Sequence, residues 1–109
     1  MPEIQSITQA LLQFRNERDW EQFHNAKDLA TGLSIEAAEL LECFLWKSAE
    51  DADPAKVREE LADVFAFAFL LADKYQLDVG EIVRAKIALN AAKYPVEKAR
   101  GNARKYTEL

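Results

Sequence analysis

The chain has 109 residues, half of them hydrophobic, and a formal net charge of −5. This length fits one domain with one core, predicted to span 1–109. The acidic balance argues against a generic nucleic-acid-binding surface, and the longest apolar stretch, 64–72, is about half of the ~20 residues that cross a bilayer.

The first half of the chain predicts two helices. Apolar residues recur at helical spacing and predict a first helix over 3–18. The aromatic-rich segment 18–24 has no clean period and is predicted to be a connection. Asn25 followed by Asp28 predicts an N-terminal cap for a long second helix that ends near Lys47.

Two further helices follow. Asp53 as cap and Pro54 at the first helical position predict a third helix that runs to about Tyr75. Asp78, with Glu81 three residues later, resembles a capping box for a fourth helix.

The fourth helix is predicted to end at Tyr94-Pro95, because the residue before proline disfavours helical geometry. Residues 96–109 are polar and basic and are predicted to form an ordered or semi-ordered tail. Four helices with short connections predict an all-α, four-helix-bundle protomer.

The second and third helices are unusually apolar. In 35–46 every residue is apolar except three glutamates, and in 61–72 only Asp63 is charged. Helices that are apolar around nearly their whole circumference are buried on several sides. In a bundle this small, we expect another copy of the chain to cover them, in a dimer or larger assembly.

Two carboxylate pairs lie within these apolar stretches. Glu36 and Glu39 are three residues apart and share a helix face, and Glu60 and Asp63 repeat the spacing on the third helix. Burying four anions together is costly without a counter-ion, so the pattern predicts a divalent cation. Oxygen ligands favour Mg²⁺ or Mn²⁺ over zinc, and the only histidine, His24, lies outside both pairs, which excludes a ferritin-type di-iron site.

Metal ions held by carboxylates suit hydrolysis of phosphate esters or anhydrides. We expect Glu39 to help orient the attacking water, although any of the four carboxylates is a candidate. Glu42 is either a further ligand or the partner of a cation. The alternative is a non-enzymatic helical dimerisation or adaptor module in which the acidic pairs are structural or solvated.

Several motifs carry a resemblance to a known family. E-A-A-E at 36–39 followed by E-L-A-D at 60–63 resembles the signature of the all-α nucleoside triphosphate pyrophosphohydrolases, the MazG family. R-D-W-E-Q-F-H at 18–24, F-L-W-K at 44–47, K-I-A-L-N-A-A-K-Y-P at 86–95 and R-K-Y-T-E-L at 104–109 are similar to its dCTP pyrophosphatase branch.

The resemblance implies a reaction and an assembly. A nucleoside triphosphate and water would give the monophosphate and diphosphate, with dCTP or a modified pyrimidine deoxynucleotide as the substrate and nucleotide-pool house-cleaning as the purpose. The protomer would assemble as a tetramer, a dimer of dimers, or as a dimer, with sites at subunit contacts and no nucleic-acid or membrane partner.

The resemblance also implies roles for individual residues. The four carboxylates fall on the family's magnesium ligands. The residues implied to contact the nucleotide are Trp20, His24, Trp46, Phe67, Lys86, Asn90, Tyr94, Arg104 and Lys105.

Two departures from the dCTP branch concern the base. A histidine of the first helix is Leu11 here, and a pocket tyrosine of the third helix is Phe67. Each removes a polar group, and hydrogen bonds discriminate between bases far more sharply than apolar contacts do. The preference for cytosine is therefore open, whereas the expected reaction class is unaffected.

The expected compartment is the cytoplasm. Cys43 is the only cysteine, so no internal disulfide can form, and no stretch resembles a secretory signal.

Overall fold

The computed structural model describes residues 2–109, and every regular element in that range is helical. The prediction of an all-α chain is confirmed. The long helices are α1 (Pro2–Glu17), α2 (Ala26–Glu42), α3 (Pro54–Lys74) and α4 (Val79–Lys93). The predicted tail contains a short fifth helix, α5 (Val96–Ala99), and single 3-10 turns lie at Glu21–Phe23, Ala49–Asp51 and Tyr106–Glu108.

The predicted caps of α2, α3 and α4 are present. In each case a side-chain oxygen accepts a hydrogen bond from a backbone N–H of the first turn, which satisfies one of the free donors at a helix start. The donors are Asp28 to Asn25 at 2.8 Å, Ala55 to Asp53 at 3.0 Å and Glu81 to Asp78 at 2.9 Å.

The predicted end of α2 was wrong by five residues, since the helix stops at Glu42 rather than near Lys47. The backbone N–H of Cys43 bonds to the carbonyls of both Leu40 and Leu41, and tighter turns follow. Trp46 then takes a left-handed conformation with φ 64°. A right-handed α-helix cannot continue through a residue in this conformation.

The chain divides into two compact units, residues 1–77 and 78–109. In the first unit, α3 packs against both α2 and α1. Its buried apolar core consists of Leu29 on α2 and Leu70 on α3, which are 1% and 8% exposed. The second unit contains α4, whose residues 81–90 are all exposed in the isolated chain.

Two contacts define the direction of α2 against α3. Gly32 lies against the ring of Phe67, and one turn further along α2, Glu36 approaches Asp63. Numbers rise on one helix as they fall on the other, so α2 and α3 are antiparallel. Leu29 and Leu70 occupy the next layer of the same helix faces at helical spacing.

The apolar faces of α2 and α3 are not fully covered within one chain. Ile35 and Leu41 of α2 are 53% and 60% exposed, and Leu61 and Phe65 of α3 are 40% and 51% exposed. The expectation of burial on several sides is therefore not met by a single protomer. No helix among residues 2–109 combines the length and hydropathy needed to cross a bilayer.

Candidate metal centre

Three carboxylates from the antiparallel pair of helices converge. Glu36 of α2 and Glu60 and Asp63 of α3 each present an oxygen, and these oxygens lie within 4.8 Å of one another. Glu36 and Glu60 are half-buried, whereas Asp63 is exposed. Glu36 therefore faces the Glu60 and Asp63 pair, whereas the predicted fourth carboxylate, Glu39, is not among the converging groups.

The convergence leaves polar atoms without partners. The Oε2 atoms of both Glu36 and Glu60 are buried and have no hydrogen-bond partner. A buried acceptor that lacks a donor is unfavourable, and more so when it is charged. A cation between the helices would satisfy both atoms at once.

The surroundings of Glu36 within the cluster raise its pKa. Its pKa is raised from 4.5 to about 7, first by a hydrogen bond with the side chain of Glu39 and then by desolvation. The negative charges of Glu39, Asp63 and Glu60 add to the shift. A substantial fraction of Glu36 is thus protonated near neutral pH unless a positive charge is present.

The pKa of Glu60 is also raised. Desolvation is the main cause, followed by the charges of Glu39 and Asp63, with smaller contributions from Glu59 and Glu42. Glu39 lies outside the group of three converging oxygens, yet its charge acts on both Glu36 and Glu60. Glu39 thus belongs to the edge of the cluster, and Glu42 is an exposed neighbour.

Trp20 is presented by a strained turn after α1. Asp19 adopts a left-handed conformation with φ 56°, and the Trp20 ring meets the edge of the Phe14 ring at a centroid distance of 5.8 Å. The Arg18 guanidinium covers the Phe14 ring at 3.7 Å. Trp20 remains 44% exposed, so its ring is held in place while part of its surface stays open.

His24 faces α3 with one ring nitrogen unsatisfied. Its Nδ1 atom is buried without a hydrogen-bond partner, and its ring lies 6.4 Å from that of Phe67. Burial lowers the His24 pKa, and the positive charges of Arg15 and Lys74 lower it further. A neutral imidazole with a free nitrogen is suited to a hydrogen bond with an uncharged group.

Gly32, one helical turn before Glu36, packs against Phe67, and the sequence patterns did not identify it. A Cβ atom placed there would lie 2.4 Å from Cε1 of Phe67, far inside contact distance. The available signal was an isolated glycine within a helical pattern, one turn before Glu36, because such a residue often has a packing role.

The other residues predicted to contact the nucleotide do not join the carboxylate cluster within the first unit. Trp46 is 100% exposed after the end of α2. The others belong to the second unit and are all exposed: Lys86, Asn90, Tyr94, Arg104 and Lys105. Within that unit, the Tyr94 ring meets the Tyr106 ring edge-on at 6.1 Å, and the Lys93 ammonium lies 4.9 Å from the Tyr106 centroid.

Residues 32–109, which include all four predicted carboxylates, match the MazG-like family. The chain belongs to this family. The resemblance to this family that the sequence motifs indicate is confirmed. Pairwise alignments with individual relatives cover almost the whole chain and so include residues before 32.

Relatives of this MazG-like chain include dCTP pyrophosphatase 1 from Bos taurus and from Homo sapiens, both 37% identical over 99% of the chain. The alignments cover 69% and 68% of those proteins. Among solved structures, a pyrophosphatase from Archaeoglobus fulgidus superposes with a TM-score of 0.79 at 35% identity, covering 85% of this chain and 93% of its own.

Proposed function

We propose that this MazG-like protein hydrolyses nucleoside triphosphates to the monophosphate and diphosphate, with Mg²⁺ held between α2 and α3. The chain is a nucleotide pyrophosphohydrolase. The observation that carries the metal assignment is the convergence of Glu36, Glu60 and Asp63 around buried oxygens that lack partners.

The carboxylates fit a hard divalent cation. Oxygens bound to one Mg²⁺ ion lie at about 2.1 Å from it, so opposite ligands are about 4.2 Å apart. Separations of up to 4.8 Å need only small rotations of side chains to meet that geometry. The donor set is all-oxygen, which suits Mg²⁺, with Mn²⁺ as an alternative. When bound, the ion neutralises phosphate charge and lowers the pKa of water.

The side chains then have separate tasks in our proposal. Glu36, Glu39, Glu60 and Asp63 hold the ion. Glu39, at the edge of the cluster, also accepts a hydrogen bond from the attacking water and directs it to the α-phosphorus. The water oxygen bonds to that phosphorus and its proton is released to solvent, while the bond from the phosphorus to the bridging oxygen breaks and diphosphate leaves with the electron pair.

The nucleoside is proposed to bind next to the cluster. Trp20 offers a partly open ring, His24 offers a free ring nitrogen, and Phe67 lies one helical turn from Asp63. Trp46, whose ring is uncovered in the protomer, completes this pocket in the assembled protein. The name of the curated relatives points to dCTP, and we propose dCTP or a modified pyrimidine deoxynucleotide for this chain in a house-cleaning role.

The second unit is proposed to hold the phosphates and sugar. Lys86 and Asn90 share one face of α4 because they are four residues apart. Tyr94 caps the C-terminal end of that helix, and Arg104 and Lys105 follow in the basic tail. Cationic side chains of this kind bind phosphate through charge-assisted hydrogen bonds.

The protein is proposed to act as a homo-oligomer, a tetramer or a dimer. An open apolar groove of about 690 Å³ lies between the end of α2 and the start of α3, and its walls include Phe44, Leu61 and Phe65. Leu61 and Phe65 are 40% and 51% exposed in the isolated chain, and neighbouring exposed apolar side chains of this kind mark interaction sites in soluble proteins. A cytoplasmic location, with neither nucleic acid nor membrane as partner, completes the proposal.

The test is a diphosphate-release assay over the four dNTPs, the four NTPs and modified pyrimidine triphosphates, with Mg²⁺ or with EDTA. We expect Mg²⁺-dependent release that is fastest with a pyrimidine deoxynucleotide. Glu60→Gln should remove activity by a factor on the order of 10²–10³, the scale of losing a main electrostatic group. Glu59→Gln, the same change at the exposed neighbour, should keep it. Full activity of Glu60→Gln would refute the site assignment.

A further inference from the structure

We propose that Gly32 is a positioning residue of the metal centre. By presenting no side chain, it leaves room for the Phe67 ring against α2, so that α2 and α3 lie close enough for Glu36 and Asp63 to reach one ion. The inference rests on the proposed function, because it concerns the ion held by that same cluster.

The contact leaves no room for even one methyl group. A Cβ atom on Gly32 would lie 2.4, 2.8 and 3.0 Å from three carbons of the Phe67 ring. Carbon atoms in favourable contact are about 3.5–4.0 Å apart. Either the ring or the whole of α3 must therefore move by about 1 Å to admit a methyl group.

Neighbouring side chains limit how far the Phe67 ring can move away from Gly32. Leu29 and Leu70, the buried apolar residues of the first unit, occupy the adjacent layer of the same faces. On another side, the His24 ring lies 6.4 Å from the Phe67 ring. Phe67 is half-buried, and we infer that a displaced ring would press on these neighbours and on the backbones of the two helices.

The contact is also close enough to the carboxylates to matter. Gly32 precedes Glu36 by four residues and Phe67 follows Asp63 by four, so the contact and the cluster are about one helical turn, ~5.4 Å, apart. Metal sites tolerate displacements of only about 0.2 Å in ligand distance. A shift of α3 against α2 of about 1 Å would add to the distance that already separates the oxygens of Glu36 and Asp63, and so weaken their joint hold on one ion.

Helix formation does not account for glycine at this position. Glycine is among the poorest helix formers, and Gly32 lies in the interior of α2. Replacement by alanine would ordinarily stabilise such a helix. A glycine here is explained by the space that the Phe67 ring occupies.

The experiment measures Mn²⁺ affinity by electron paramagnetic resonance, without nucleotide, so that no effect on catalysis enters. Five proteins are compared: wild type, Gly32→Ala, Phe67→Leu, the double variant Gly32→Ala/Phe67→Leu, and Gly80→Ala as the same change in α4. We expect Gly32→Ala to weaken Mn²⁺ binding about 10–100-fold, the range known for residues that orient metal ligands.

Rescue distinguishes positioning from general damage. Leucine is smaller than the aromatic ring, so Phe67→Leu and the double variant should both bind Mn²⁺ within about threefold of wild type. The melting temperature should fall in Gly32→Ala but rise when the same change is made in the Phe67→Leu background. Gly80→Ala should bind as wild type does.

The outcomes separate the two proposals. Failure of wild type to bind Mn²⁺ would refute the metal centre itself. If wild type binds Mn²⁺ and Gly32→Ala binds it with the same affinity, the proposed role of Gly32 is wrong, whereas the metal centre is unaffected. If Gly32→Ala does not fold, the double variant Gly32→Ala/Phe67→Leu tests the inference instead. The inference predicts that the double variant folds and binds Mn²⁺, and failure of either would overturn it.

Discussion

Glu36 and Asp63 project from two antiparallel helices and bring carboxylate oxygens within 4.8 Å of each other. They lie on two consecutive long helices and are far apart in the sequence, so only the packing of α2 against α3 makes them neighbours. Both are negatively charged when ionised, and no described cationic side chain forms an ion pair with either. Their proximity is unfavourable in the metal-free protein and favourable once a divalent cation is bound.

The raised pKa of Glu36, caused first by its hydrogen bond with Glu39 and then by desolvation and nearby negative charge, predicts an unusual pH dependence of stability. The folded-state pKa of Glu36 is raised from 4.5 to about 7, so the folded state binds more protons than the unfolded state between these values. The free energy of unfolding then falls as pH rises through this window and stays low above it. The raised pKa of Glu60 acts in the same direction.

In EDTA, the melting temperature should accordingly decline from about pH 5 to about pH 7.5. Glu36→Gln, which cannot ionise, should show a flatter profile, whereas Glu50→Gln at an exposed site should follow wild type. Saturating Mg²⁺ should restore stability at the upper end of the range, because a ligand that binds only the folded state stabilises it. Identical slopes for Glu36→Gln and wild type would disprove this origin of the pH effect.

The cap of α2 should contribute measurably to stability. Asn25 accepts a hydrogen bond from the Asp28 N–H at 2.8 Å and donates one from Nδ2 to its carboxylate at 2.9 Å. Asn25→Ala should lower the free energy of unfolding by about 1 kcal/mol in urea denaturation. Asn25→Ser retains a capping oxygen and should recover most of that loss, an outcome that a simple effect of side-chain size does not produce.

The apolar groove should be an oligomer contact. Phe65 lines it and is 51% exposed in the isolated chain, so Phe65→Arg should place a charge in the interface. Light scattering after size exclusion should give a smaller assembly for this variant than for wild type. Gln5→Arg, on the exposed surface of α1, is the matched control and should leave the mass unchanged. A monomeric wild type at micromolar concentration would contradict the proposal.

Trp46 reports on the same assembly. Its side chain is fully exposed in the protomer, and its backbone has a left-handed φ of 64°. In a Trp20→Phe variant, Trp46 is the only indole, and assembly should shield it from a soluble quencher. Adding Phe65→Arg should restore quenching. Equal quenching of assembled and dissociated protein would show that no partner covers Trp46.

Local interactions explain which parts of the fold the sequence predicted. The caps at Asn25, Asp53 and Asp78 depend on side-chain bonds to the next two or three residues, so residue type and position suffice. Local spacing also predicted that each carboxylate pair shares one helix face, whereas the convergence of Glu36 with Glu60 and Asp63 required α2 and α3 to be neighbours.

Other features depend on contacts that no local pattern encodes. The early end of α2 follows from turns at Cys43 and the left-handed Trp46, where apolar periodicity alone predicts that the helix continues. The packing of Phe67 on Gly32 is a contact between two helices. Glu39 shares its helix face with Glu36, yet its oxygens lie outside the converging group of three. The roles of Lys86 and the other predicted residues of the second unit stay predictions.

The most direct test of the metal centre is an equilibrium Mn²⁺ titration followed by electron paramagnetic resonance on wild type, Glu36→Gln, Asp63→Asn and Glu59→Gln. The account predicts that wild type and Glu59→Gln bind equally. Loss of a ligand from either helix should weaken binding by at least about tenfold, or ~1.4 kcal/mol. Wild-type Mn²⁺ affinity in both Glu36→Gln and Asp63→Asn would show that α2 and α3 do not jointly hold the ion.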